Sequence, residues 1–280
     1  MKAKDNKEYQ KLFQDYVLTI KNERKIMLES KKLTLNGRTM HFEYFKRGPA
    51  PSDGYSLYFG MHGGGGCPKE VNDQQWENHK TLYNQYLNFS CIWFVPRAPD
   101  DVWNMWHLPY IDTMLEYIIQ SFLVLNEVNP NKVFITGYSA GGDAVYKLAP
   151  RMADKLAGAA MCAGHPNGAS MLSLRNCFFS IQVGENDHAH NRNGVAAEYA
   201  KQFKALRKKD PDGYENFCVI RKNAGHWMNF EDSEVFGMLE QKVRNPYPNK
   251  IVWKQCGDVP KRDFYWLSVS EENCKPHALV

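Results

Sequence analysis

The sequence predicts an α/β fold, a mostly parallel sheet with helices on both faces. Three observations carry that expectation. Short apolar runs of strand length alternate with longer runs of helical periodicity. The apolar runs are nearly continuous, as in strands covered on both faces. The chain has 280 residues, 43% apolar and 24% charged, so it can bury a core without disulfides and does not read as disordered or collagen-like. A net charge of +4 is too mild to argue for a nucleic-acid partner. No apolar run is long enough to span a membrane, and residues 1–8 have no apolar segment behind them, so neither a span nor a signal peptide is expected. Seven cysteines without a C-x-x-C pair argue against zinc and for a reducing compartment, most simply the cytoplasm.

The elements follow in order. Residues up to about 30 read as one helix, with Tyr9, Leu12, Phe13, Tyr16, Val17 and Ile20 at helical spacing. Its acidic residues favour an ordinary packed helix over a membrane-surface one. Strands at 32–35 and 39–45 flank Asn36-Gly37, a turn pair that accepts positive φ, and so form a hairpin. A strand at 55–61 runs into four glycines. A helix is expected at 70–87, with Trp76, Leu82, Tyr83 and Tyr86 as its apolar points. Further strands fall at 91–95, 132–136, 157–163, 177–183 and 217–220. Helices fall at 111–124, 140–148 (interrupted near Pro150), 194–208 and 232–243. The tail holds two aromatic strand candidates, 251–253 and 264–267, read as a longer-looped hairpin. The division is an N-terminal helical extension (1–31), one main domain (32–243), and a C-terminal aromatic hairpin tail packed on it (244–280).

Chemistry concentrates at the strand ends. Gly137-Tyr138-Ser139-Ala140-Gly141-Gly142 sits between a buried strand and a helix. A serine on such a turn is backbone-strained with its hydroxyl at the tip, and the helix N-terminus faces it. After another strand comes His62-Gly63-Gly64-Gly65-Gly66. Glycines let backbone N–H groups turn inward, so Gly64, Gly65 and Ala140 are expected to hold a developing oxyanion. The pattern G-x-x-x-x-G-K-[ST] is absent, which removes the phosphate-loop reading. A serine nucleophile needs a base and the base a carboxylate. Asp187, in Gly184-Glu185-Asn186-Asp187, follows a strand, with Glu185 as the alternative. His226, in Asn223-Ala224-Gly225-His226-Trp227, follows the last strand. Ser139, Asp187 and His226 are the expected catalytic residues. His62, Trp103, Trp106, His107, Tyr138, His165 and Trp227 lie at the same predicted edge and are candidate pocket residues. Asp187-His188-Ala189-His190 is too sparse for a metal, and none is expected. The basic run from Lys201 to Lys209 reads as a solvated helix face.

These four motifs, in this order across roughly residues 32–243, resemble the α/β-hydrolase superfamily. Within it the chain resembles compact serine esterases of the esterase D, feruloyl esterase and polyhydroxybutyrate-depolymerase kind, related to the prolyl oligopeptidase catalytic domain. Pro96-Arg97-Ala98-Pro99 and Gly164-His165-Pro166-Asn167 add to the likeness. The resemblance implies an eight-stranded, mostly parallel sheet, a Ser139–His226–Asp187 triad, hydrolysis of a small or medium ester, and no cofactor. The short segment between the strands at 157–163 and 177–183 has no room for a large lid. A small-molecule ester is the implied partner, with no nucleic acid and no membrane. Oligomeric state stays open, a homodimer included. A prolyl oligopeptidase-type peptidase, an acyltransferase and a non-catalytic binding protein are the alternatives.

Overall fold

Lys32–Leu35 (β1) and Arg38–Arg47 (β2) pair antiparallel across Asn36 and Gly37, whose φ angles are 49° and 76°. Both values lie in the left-handed region that Asn and Gly tolerate, so the turn pair closes the hairpin without steric cost. The other strands are Tyr55–Met61 (β3), Cys91–Pro96 (β4), Val128–Tyr138 (β5), Gly158–Cys162 (β6), Phe178–Gly184 (β7) and Asn216–Arg221 (β8). They form one eight-stranded sheet in the order β1-β2-β4-β3-β5-β6-β7-β8. β2 runs antiparallel to β4, and every pair from β4 through β8 is parallel. This computed structural model describes residues 3–82, 87–257 and 259–280, with side chains from residue 10 onward.

The helices are Ala3–Ser30 (α1), Lys69–Leu82 (α2), Pro109–Val124 (α3), Ala140–Met152 (α4), Arg192–Lys209 (α5) and Glu234–Glu240 (α6). They cover both sheet faces because neighbouring strand residues point to opposite sides. Leu57, Phe59, Ile92, Phe94, Phe179 and Ile181 enter one core with α3, α4 and α5. Tyr58, Trp93, Val95 and Phe178 enter the other, with Phe236 and Leu239 of α6.

Several expected boundaries change. The helix expected at 70–87 ends by Leu87, which lies outside it, while Tyr83, Tyr86 and the side chain of Tyr9 lie outside the described residues. α4 runs through Pro150, because buried Leu148, Ala149 and Met152 hold its last turn in the core. The helix expected at 232–243 is a 3-10 turn, Glu231–Ser233, followed by the short α6. The expected tail hairpin is also corrected. Residues 251–253 are irregular, Lys254 bridges Leu279, and the small hairpin is Asp263–Phe264 (β9) with Leu267–Ser268 (β10). Trp253 meets Phe264 by ring stacking at 5.5 Å instead of strand pairing.

The two ends of the chain differ in attachment. The tail buries Trp253 and Phe264 in the main core, and Lys261 reaches Asp112 at 3.2 Å and Glu116 at 3.1 Å on α3. The expectation of an ordinary packed N-terminal helix fails for most of α1. Leu28 is buried and Arg24 lies over the Tyr117 ring, yet Leu12, Phe13 and Tyr16 are exposed. Helical spacing reveals an apolar face but not what covers it.

Candidate active site

The carboxyl ends of the parallel strands bring the motifs to one edge of the sheet, where ligands bind in open α/β folds. Ser139 joins β5 to α4 at φ 59° and ψ −120°, a region non-glycine residues rarely adopt. Close packing holds it there. A Cβ on Gly141 would stand 1.9 Å from Met61 O, and one on Gly142 would stand 2.4 Å from Cys162 O. The small residues around Ser139 are thus required by backbone contact across the sheet. Ser139 N–H also donates to Cys162 O at 3.0 Å.

Asp187 and His226 meet at this edge. His226 Nδ1 lies 2.8 Å from Asp187 Oδ2; Asp187 is buried and His226 half-exposed. Glu185 instead accepts from Asn223 N–H at 3.0 Å, which leaves Asp187 as the carboxylate beside the imidazole. Tyr138, the residue before the serine, donates its hydroxyl to His226 O at 2.6 Å and accepts from Met228 N–H at 3.0 Å. It lines the cavity and also clamps the histidine loop; burial raises its hydroxyl pKa. Among the described residues no hydrogen bond joins Ser139 Oγ to His226. Such contacts commonly tighten only when substrate is present.

The glycine loop bends at Gly64 and Gly65, with φ of 108° and 118°. Gly65 N–H, expected to face an oxyanion, donates instead to Asn72 Oδ1 at 2.9 Å. Asn72 returns its amide to Gly65 O at 2.9 Å and to Asp101 at 2.8 Å. The expectation for Gly65 is corrected: Asn72, buried on α2, uses the Gly65 donor to fix the loop. Gly64 and Ala140 remain at the cavity wall. As the first residue of α4, Ala140 has an N–H with no helical partner.

Three expected pocket residues do not line the cavities beside Ser139. His62 is fully buried; Nδ1 lies 2.6 Å from Gly63 O, and Nε2 accepts from Ala98 N–H at 3.1 Å. It is therefore a neutral strut beneath the glycine loop, and burial lowers its pKa to about 4. Trp106 is buried and donates to His62 O at 3.0 Å. His107 is buried, its carbonyl accepting from Arg151. Period and position placed these side chains at the edge, but cannot tell a residue above the sheet end from one beneath it.

Two cavities share Gly64, and Ser139 lines the larger of them. The larger, about 1080 Å³, is lined by Gly63, Tyr138, Ser139, His226, Trp227 and Phe230 among others. The second, about 590 Å³, lies past Gly64 and Ala140 and includes Trp103, His165 and Arg192. Asp143 shapes it by accepting from His165 N–H at 2.6 Å and the Asn167 amide at 3.1 Å. No motif marks Asn72 or Arg192; a buried Asn and an Arg at a helix start carry no sequence pattern of their own. Among the described residues no three His, Cys, Asp or Glu side chains gather as a metal site needs, and no helix is long and apolar enough to cross a membrane.

The sheet order, the strained serine turn and the placement of the histidine loop define the α/β-hydrolase fold, and comparison with solved structures bears this out. The chain is similar to the BES protein from Bacillus cereus, with a TM-score of 0.54 and 12% identity over 74% of this chain and 92% of that one. It is also similar to a thermostable esterase, at 0.53 and 15% over 78% of this chain and 64% of that one. A further structure, acetyl xylan esterase from Aspergillus awamori, aligns at 0.50 and 13% over 74% and 98%. No protein-family model and no curated protein matches the chain.

Proposed function

We propose that the chain is a serine hydrolase that cleaves carboxylic esters of small or medium size through an acyl-enzyme on Ser139. The observation that carries this reading is the 2.8 Å Asp187–His226 pair, whose His226 lines the same cavity as Ser139 at φ 59°. His226 takes the hydroxyl proton as Ser139 Oγ attacks the ester carbonyl. Asp187 holds the imidazole tautomer and stabilises its cationic form. The tetrahedral oxygen points at the N–H groups of Gly64 and Ala140. His226 then gives the proton to the leaving alcohol, and water repeats the sequence on the acyl-enzyme. No step draws on a cofactor.

A fluorophosphonate should label Ser139 stoichiometrically. Ser139→Ala should lower p-nitrophenyl ester hydrolysis by at least about 10³-fold. A folded protein that neither labels nor hydrolyses any ester in a panel of varied acyl length would overturn the reading. Preference for proline-containing peptides over esters would move it to a peptidase.

A further inference from the structure

Two N–H groups at the cavity wall, those of Gly64 and Ala140, make no hydrogen bond among the described residues. Ala140 is held by the start of α4. Gly64 stands on a glycine loop at φ 108°, where the chain has little stiffness of its own. Asn72 supplies the missing constraint. Its Oδ1 lies directly against Gly64, 2.0 Å from where a Cβ would stand. The same oxygen accepts from Gly65 N–H at 2.9 Å and from the Cys67 thiol at 3.2 Å. Its Nδ2 donates to Gly65 O at 2.9 Å and to Asp101 Oδ1 at 2.8 Å. Both hydrogens and both lone pairs of this buried amide are thereby used.

The amide is oriented from behind. An ionised carboxylate only accepts, so Asp101 draws the amide nitrogen toward itself and turns the oxygen to the loop. Arg97 holds Asp101 in place and is anchored by donating to Ala98 O at 2.7 Å and Asp73 Oδ1 at 2.9 Å. A flipped amide would set oxygen against carboxylate and N–H against the Gly65 N–H. Neither Asn72 nor Asp101 lines a cavity beside the serine turn.

We propose that Asn72, oriented by Asp101, is a positioning residue that aims the Gly64 N–H at the tetrahedral oxygen. This rests on the serine-hydrolase reading and adds how its oxyanion site is held. The aimed contact strengthens as the carbonyl oxygen gains charge, so its loss falls on kcat rather than KM. Asp101→Asn is nearly isosteric and frees the Asn72 amide to flip. It should lower kcat for p-nitrophenyl acetate about tenfold per fluorophosphonate-titrated serine, with KM within about twofold of wild type. Affinity for a trifluoromethyl ketone, whose adduct with Ser139 carries the oxyanion, should fall by the same factor. Asn72→Asp sets two carboxylates together and should cost about 100-fold in kcat. Adding Asp101→Asn to it restores a donor–acceptor pair and should recover at least about tenfold.

A merely structural role would lower Tm and the fraction of titratable serine but leave kcat per serine and ketone affinity at wild-type values. That result, or no recovery in the double variant, overturns the proposal. Amide hydrogen exchange across residues 63–67 reads the loop without turnover and should quicken in Asp101→Asn. Quickened exchange in a protein that neither labels nor cleaves any ester would leave the Asn72 clamp standing and remove the hydrolase reading. Unchanged exchange and unchanged kcat in an active enzyme would do the reverse.

Discussion

The two walls of the candidate site are built by different means. The nucleophile wall is fixed by backbone against backbone. Gly137, Gly141 and Gly142 pack where a single added carbon would meet main-chain atoms at 1.9–2.4 Å. The base wall is held at its root, where Asn186 N–H donates to Ala224 O at 2.8 Å and Gly184 packs against Gly225. At its tip, His226 relies on two side chains, Asp187 and Tyr138. The difference suits the chemistry proposed for each wall. A nucleophile in a strained turn has to be immobile, whereas the base has to serve first the hydroxyl and then the leaving oxygen.

The largest effect should come from breaking the nucleophile wall. Gly141→Ala forces Met61 O away and should cost roughly 3 kcal/mol, lowering Tm by about 10 °C. A melt indistinguishable from wild type would mean that this wall is as compliant as the other.

Loosening the base wall should affect rate more than fold. Tyr138→Phe removes a donor to His226 O and an acceptor for Met228 N–H, so turnover of a p-nitrophenyl ester should fall about tenfold while Tm drops only a few degrees. Equal losses in both would erase the distinction between the walls.

Acid should act on the nucleophile wall next. Burial holds the His62 pKa near 4 and that of His79, buried on α2, near 3. Both groups are protonated more readily in the unfolded chain, so their neutral burial stabilises the fold fully above about pH 6.5. That stability is lost as pH falls from there toward 4. Melting between pH 7 and pH 4.5 should show Tm declining by roughly 5 °C, and less in His62→Gln.

The smallest effect belongs outside both walls. Removing residues 1–20 deletes the part of α1 where Leu12, Phe13 and Tyr16 are exposed, and should shift Tm by about 1 °C or less.

The order of strands and helices, the Asn36-Gly37 turn, Ser139 on its strand-to-helix turn, and the choice of Asp187 and His226 as partners are all legible in the sequence. Each rests on local period or on a residue type that a tight turn requires, and such signals survive in one dimension. The failures have one cause. His62, Trp106 and His107 sit at the right strand ends but beneath the loop, and Gly65 loses its N–H to Asn72. Ile251 to Trp253 has strand composition yet is irregular, with Trp253 O accepting from Val280 N–H at 2.9 Å. Whether a side chain faces a cavity, a buried strut or solvent depends on what comes to lie over it from elsewhere in the chain. Hydrophobic period and turn sterics act over a few residues, and they suffice to set the parallel sheet and which residues stand at its carboxyl edge. Which N–H groups stay unspent, how the wall divides into two cavities, and that Arg192 lines the smaller of them emerge only in the assembled fold. Those features arise only when groups distant in sequence compete for the same hydrogen bonds and the same space.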